Sequence, residues 1–346
     1  MSTLNVTNIA GPSNTGTAAT LSSINGGPIS GARNRIINGD MRIDQRNAGA
    51  AVTAGGSYPV DRFQVNLVGG GVVSFSRSTV APAGFTNSLS ATVTTPDSSI
   101  ASADYYRFLQ IIEGFNAADL QFGTASASPV VASFWVRSSV TGTYSLGLQN
   151  NNSSRSYVAS YTISAANTWE LKTLTIPGDT SGTWLTDNSA GIRLFWDLGS
   201  GSSWDQAPNT WSATNTWKSS SQASWISTNG ATFYITGVQL EAGTVATPFE
   251  RRSYGQELAL CQRYYQRYSN LSMRQYVSNV MRFDTQLPVQ MRANPTFTRS
   301  YISSVNLGID STGATTEVFR WDMQFIGAGN GVVDIAGASF TLSAEL

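Results

Sequence analysis

The chain has 346 residues, 41% of them hydrophobic and only 12% charged, and its 21 Lys+Arg balance its 21 Asp+Glu to a formal net charge of zero. Length and hydrophobic share predict two folded units, or one large and one small, and the balanced charge speaks against a nucleic-acid groove, which needs clustered positive surface. The absence of histidine removes the usual proton shuttle and the commonest zinc ligand, and a single cysteine, Cys261, excludes an intrachain disulfide framework.

Lys172 and Lys218 are the only lysines; the remaining cations are arginines, which pair bidentately and stack on rings. Ser, Thr, Asn, Gln and Gly must cover much of the surface, a neutral exterior suited to extracellular particles and carbohydrate contacts. No basic stretch leads into an apolar run at the N-terminus, and no run reaches 18 apolar residues, so neither a signal peptide nor a membrane span is predicted.

Residues 1–33 are Gly/Ser/Thr-rich and uncharged until Arg33. They form either a disordered arm or an attachment and oligomerisation arm that orders on pairing with copies of itself or a partner. The recurrence of Leu4, Val6, Ile9, Leu21, Ile24 and Ile29 points to the second. From 34 to 250 strand follows strand: 62–68 and 72–77 alternate with period 2, and 105–112, 130–136, 143–148, 156–163, 169–176, 191–197 and 231–240 follow, with 138–142 as a hairpin connection. This spacing predicts a β-sandwich.

Tyr254, Leu258, Cys261, Tyr265 and Tyr268 then step by 4, 3, 4 and 3, a helix seam, and Ser253 with Gln256 forms a capping-box signature. A linking helix of about four turns is predicted within 251–270, packed on its own sandwich or at a subunit interface formed by those five residues. Strand-like alternation resumes at 275–283, 297–303, 317–325 and 331–342, giving a small C-terminal β-domain over 271–346.

Little in the chain suggests covalent chemistry. Asp40, Asp44, Asp61, Asp104, Glu113, Asp119 and Glu170 are scattered carboxylates, a weak basis for a glycosidase pair. Gly69-Gly70-Gly71 reads as a turn, and Cys261 reads as a buried, inert thiol. The arginines of 250–300, interleaved with tyrosines, read as an interface. Trp196, Trp204, Trp211, Trp217 and Trp225 are the densest signal, because Ser200–Gln222 offers almost no aliphatic partners. Indole faces with nearby amides and carboxylates suit sugar rings, which makes Trp204, Asp205, Trp211, Asn215 and Trp217 the candidate glycan-binding residues. The alternatives are a loop pinned by aromatic anchors or a contact between protomers.

Three stretches carry a resemblance. Residues 34–41, NRIINGDM, resemble the opening of jelly-roll carbohydrate-binding modules, and 233–241, FYITGVQLE, resemble their closing strand. The run 233–265 is similar to virion appendage proteins of tailed bacteriophages, tail fibres in particular, as are STLNVTNIAGP near the start and Ser343-Ala344-Glu345-Leu346. The resemblance implies a jelly-roll β-sandwich behind an N-terminal arm. It further implies a homotrimer joined through the arm to other virion proteins and facing host-surface glycan, located in the virion and released by lysis. Several such jelly rolls hold a structural calcium near their first and last strands. Asp40 and Glu241 lie in the matching regions, but Thr236-Gly237 replace the usual acidic pair, so no cofactor is assigned. The expectation is a glycan-binding virion protein that is not an enzyme; a capsid decoration or adaptor without ligand, and a depolymerase, are the alternatives.

Overall fold

The fold was obtained as a computed structural model, which describes residues 33–275, 280–300, 307–325 and 333–346. The predicted N-terminal arm, Arg33 apart, lies outside the described residues. In chain order the strands are β1 (Gln64–Val68), β2 (Val72–Ser78), β3 (Ser88–Thr95), β4 (Tyr105–Glu113), β5 (Val130–Ser138), β6 (Gly142–Gln149), β7 (Ser156–Ile163), β8 (Glu170–Ile176), β9 (Ala190–Asp197), β10 (Trp211–Ser212) and β11 (Thr232–Ala242). The helix α1 (Tyr254–Gln262) follows, and then β12 (Tyr265–Gln275), β13 (Val280–Gln286), β14 (Thr296–Ser300), β15 (Leu307–Ala314), β16 (Val318–Phe325) and β17 (Val333–Ser343).

The first eleven strands make the predicted sandwich. One antiparallel sheet runs β1-β4-β9-β6-β7-β10 and the other β2-β3-β11-β5-β8, with the chain crossing repeatedly between them as in a jelly roll. Alternation sets the layers. Even positions of β4 and β9 (Tyr106, Phe108, Trp196) and of β5 (Phe134) turn inward, and Trp196 stacks on Phe108 at 5.4 Å and meets the edge of Phe134 at 5.9 Å.

The opening stretch 34–41 and the strand segment 233–241 lie side by side. Arg35 N–H donates to Leu240 O (2.8 Å) and Val238 N–H to Gly39 O (2.9 Å), while the Asn34 amide bridges Val238 O and Leu240 N (both 3.0 Å). A Cβ on Gly39 would stand 2.1 Å from Val238 O, so only glycine allows this approach. Asn38, at φ 59°, caps the turn through Ile43 and Asp61 O.

The capping box of α1 is present as predicted, with Gln256 N–H donating to Ser253 Oγ (3.4 Å) and Ser253 N–H to Gln256 Oε1 (3.1 Å). Its length is corrected: α1 ends at Gln262, and Tyr265 and Tyr268 stand on β12, paired with β17 across Tyr265–Ser343 and Tyr268–Phe340. The 4-3 spacing continues past the helix end, but non-local ladder bonds to β17 outweigh it.

The predicted intersubunit stripe is corrected too. Cys261 is fully buried in a cluster with Ile37, Ile43, Tyr264, Leu258, Leu260 and Leu346, Tyr265 is buried, and Tyr268 stacks on Phe340 at 4.6 Å. Tyr254 alone of the five is exposed, at 56%. The stripe therefore packs within the chain, between the sandwich and the C-terminal strands. Burial also raises the Cys261 thiol well above its ordinary value, as expected for an inert thiol.

The C-terminal strands form two three-stranded sheets, β12-β17-β14 and β13-β16-β15. Charges lock the first to the sandwich. Glu345 pairs with Arg62 and with Arg46 (2.8 Å), and Arg62 lies 3.5 Å over the Tyr264 ring. Arg263 grips Glu113 bidentately (2.9 and 2.6 Å), and Arg292 donates to Asn188, Ala344 and Glu345 carbonyls. Much of the basic 250–300 segment is thus consumed inside the chain.

Candidate functional site

Between β9 and β11 the chain makes an excursion that lies across the outer face of the six-stranded sheet. Its anchor is Asp197, the last residue of β9 and fully buried. Its carboxylate accepts from Gly199 N–H (2.8 Å), Ser200 N–H (2.9 Å) and Trp217 Nε1–H (3.0 Å), and from Ser200 Oγ and Gln222 Nε2. Gly147 of β6 provides the seat: a Cβ there would lie 2.6 Å from the Trp217 Cβ, so the Trp217 backbone rests directly on the strand. Gln149 Nε2 donates to Thr216 O (2.9 Å), Ser219 N–H to Ser145 Oγ (3.0 Å) and Asn209 N–H to Val158 O (2.7 Å). These bonds spread the excursion over β6 and β7.

The β1-β4-β9 half of that face is only partly covered: Leu109 and Phe195 are buried beside Trp217, whereas Gln64, Asn66, Tyr105, Arg107, Ile111 and Arg193 keep partial exposure. Period 2 places Gln64 and Asn66 of β1, Tyr105, Arg107, Leu109 and Ile111 of β4, and Arg193 and Phe195 of β9 on it, in register Asn66–Arg107–Asp197 and Gln64–Leu109–Phe195. The edge of the excursion forms its wall. Trp204 stacks on Trp217 at 4.0 Å, and both meet the edge of Tyr105 (5.9 and 6.2 Å). The Trp204 indole N–H donates to Asp104 O at 3.1 Å, which fixes the ring beside β4.

The five predicted glycan residues separate. Trp204 and Trp217 meet in this wall, but Trp217 is only 1% exposed; it belongs to a second small core with Leu109 and Phe195 and is not an open platform. The expectation that these rings lack packing partners is corrected, because the outer sheet face itself supplies them. Asp205 is ion-paired with Lys218, and the exposed Asn215 accepts from Gln149 Nε2 (3.1 Å). Trp211 joins a different group of rings, with Tyr157, Trp184 and Phe122, and donates to Pro177 O (2.9 Å). Tyr105, Arg107, Arg193 and Phe195 were missed. Their signal was an arginine inside an otherwise apolar strand run, in YYRFLQ and in GIRLFW.

The scattered carboxylates have structural partners. Asp44 accepts from Asn47 and Gly49 N–H, Asp61 from Gln45 and Arg46, Asp104 from Ala101 N–H, and Glu113 from Arg263 and Tyr264. Asp119 pairs with Arg35, and Glu170 with Lys172. The residues present do not fit a structural calcium. Glu241 is occupied by Thr247 N–H (2.7 Å), Thr247 Oγ1 (2.6 Å) and Gln239 Nε2 (2.9 Å), and Asp40 is paired with Arg42. The one buried oxygen that Asp40 leaves without a donor falls short of the six to eight oxygens calcium takes. A groove of about 680 Å³ beside α1 holds Arg252 and Arg263, whose charges are met by Glu250, Glu257 and Glu113.

No family model matches the chain, and no curated protein is similar to it in sequence. Among solved structures it is similar to the enzymatically active domain of tailspike protein 4 of bacteriophage CBA120 (TM-score 0.32, 12% identity), over 61% of this chain and 21% of that one. It is also similar to the family 11 carbohydrate-binding module of a cellulosomal cellulase of Clostridium thermocellum (0.30, 14%), over 58% and 99%. A third is a family 61 module solved with β-1,4-galactotriose (0.29, 8%), over 61% and 99%. The chain thus spans about a fifth of the tailspike domain and nearly all of either module.

Proposed function

We propose that the protein is a glycan-binding virion appendage, a homotrimeric tail-fibre component that holds host-surface sugar without cleaving it. One observation carries the binding part: the partly covered sheet half joins a partly exposed aromatic pair, Tyr105 and Trp204, to partly exposed hydrogen-bonding side chains at Gln64, Asn66, Arg107 and Arg193. A sugar needs that combination, an apolar face for its C–H surface and fixed polar groups for its hydroxyls. The virion role draws on the resemblance of 34–41 and 233–265. A monomeric mass in light scattering would remove the trimer.

The test is binding of the purified protein to a glycan array and to bacterial surface polysaccharide. The Tyr105→Ala/Trp204→Ala double variant is expected to lose at least about tenfold in affinity, roughly the worth of one aromatic contact, with its thermal midpoint measured alongside as a check on the fold. Unchanged binding by a folded double variant would dismiss this face. Release of reducing ends from the bound polysaccharide would replace the binding reading with a depolymerase.

A further inference from the structure

The partly covered sheet half holds two guanidiniums, of Arg107 and Arg193, that have no ion-pair partner in contact among the described residues. Arg107 Cζ lies 3.7 Å from the centre of the Trp217 ring, 4.3 Å from Phe195 and 5.1 Å from Tyr105, boxed by aromatic faces. Its Nε and Nη1 are buried and have no hydrogen-bond acceptor. Arg193 repeats the pattern: its Nε is buried without an acceptor, and its terminal nitrogens reach only Ser153 Oγ and Asn151 Oδ1, at 3.5 and 3.3 Å. By contrast Arg46, Arg62, Arg155, Arg252 and Arg263 are each ion-paired.

Asp197, opposite Arg107 in register, attracts it at longer range, but its own oxygens are taken by the five donors that anchor the excursion. Burial pushes the Arg107 guanidinium down to about 10, with Asp197 acting against that and the Arg193 charge adding to it; burial lowers Arg193 as well. Arg107 remains a cation at neutral pH. Arg193 pairs with Ile111, four positions along β4 from Arg107, so both project from the same face about 13 Å apart along the strand. Two like charges, stripped of part of their water and short of acceptors, make a site completed by an anion. A planar guanidinium already stacked on rings is preorganised for a carboxylate.

Resting on the glycan-binding reading, we infer that this face selects carboxylate-bearing sugars, with Arg107 holding a uronate-type carboxylate beside the Tyr105–Trp204 wall and Arg193 engaging a second acidic sugar of the same chain. The probes are polygalacturonate, alginate and hyaluronate, each compared by calorimetry with its carboxyl-reduced counterpart, which keeps the backbone and loses only the charge.

The native forms are expected to bind at least tenfold more tightly than the reduced forms. Arg107→Gln is expected to lose that preference, a charge-assisted hydrogen bond being worth about tenfold or more, with a clearly smaller loss on the reduced forms, which lose only a neutral hydrogen-bond partner. Arg193→Gln, at a partly buried position, is expected to weaken the preference and guards against an Arg107 variant that fails to fold. Equal binding of native and reduced forms, or equal losses on both in Arg107→Gln, would overturn the acidic selectivity and leave glycan binding standing. Binding to none of the preparations would overturn both.

Discussion

Glu345→Ala is expected to cost about 3–5 kcal/mol of folding stability, the range for removing one partner of a buried ion pair. Arg62 is 2% exposed in its side chain and Glu345 8%, and the guanidinium is hemmed in by the Tyr264 ring at 3.5 Å. Burial pulls the Arg62 pKa down, and Glu345, helped by Tyr264 and Tyr58, more than offsets this, so the net shift is upward. Deleting the carboxylate leaves that cation buried with Ile111 O as its remaining hydrogen-bond partner, and takes a partner from Arg46 as well. The joint between sandwich and C-terminal strands would loosen with it, since Ala344 N–H donates to Tyr264 O (2.8 Å) and Arg292 holds the Ala344 and Glu345 carbonyls. Urea unfolding of wild type and variant decides the matter; a loss below about 1 kcal/mol would show that this pair is solvated and contributes as a surface pair does. A second variant, Arg62→Met with Glu345→Leu, is expected to recover much of the loss, because replacing both charges removes the desolvation cost along with the attraction.

The second large effect belongs to Asp197→Ala. Three N–H groups, from Gly199, Ser200 and Trp217, lose their acceptor at once in a buried position, and each orphaned donor costs about 1–3 kcal/mol. A loss of roughly 3–5 kcal/mol is expected after partial rehydration, together with a red-shifted tryptophan emission as Trp217 leaves Gly147. Because Trp217 backs both Trp204 and Arg107, glycan affinity should fall with the emission change. A variant with native emission would show that the excursion is held by its bonds to β6 and β7 instead.

Several features were legible in the residues themselves. The capping box at Ser253 needs only a hydroxyl and an amide three positions apart, so it survived into the structure unchanged. Strands β1 and β2 announced themselves by alternation, and β4, β5, β7 and β9 as β-rich runs between turn residues. Strand β3 was overlooked: Leu89, Ala91 and Val93 do alternate inward, but small alanine and surrounding serines dilute the period. The helix end escaped for the opposite reason, since the tyrosine spacing continued regularly while the backbone switched to pairing with β17.

Sequence alone determined the β-sandwich, the capping box at Ser253 and the concentration of indoles after β9, because these follow from period, local hydrogen bonding and residue type. Only the tertiary structure decided that Trp217 is buried while Arg107 is boxed and left without an acceptor. Alternation states which side chains share a face of a strand. Whether that face meets water, a crossing loop or another sheet depends on contacts between residues far apart in the chain, such as Gly147 with Trp217 and Asp197 with Gln222.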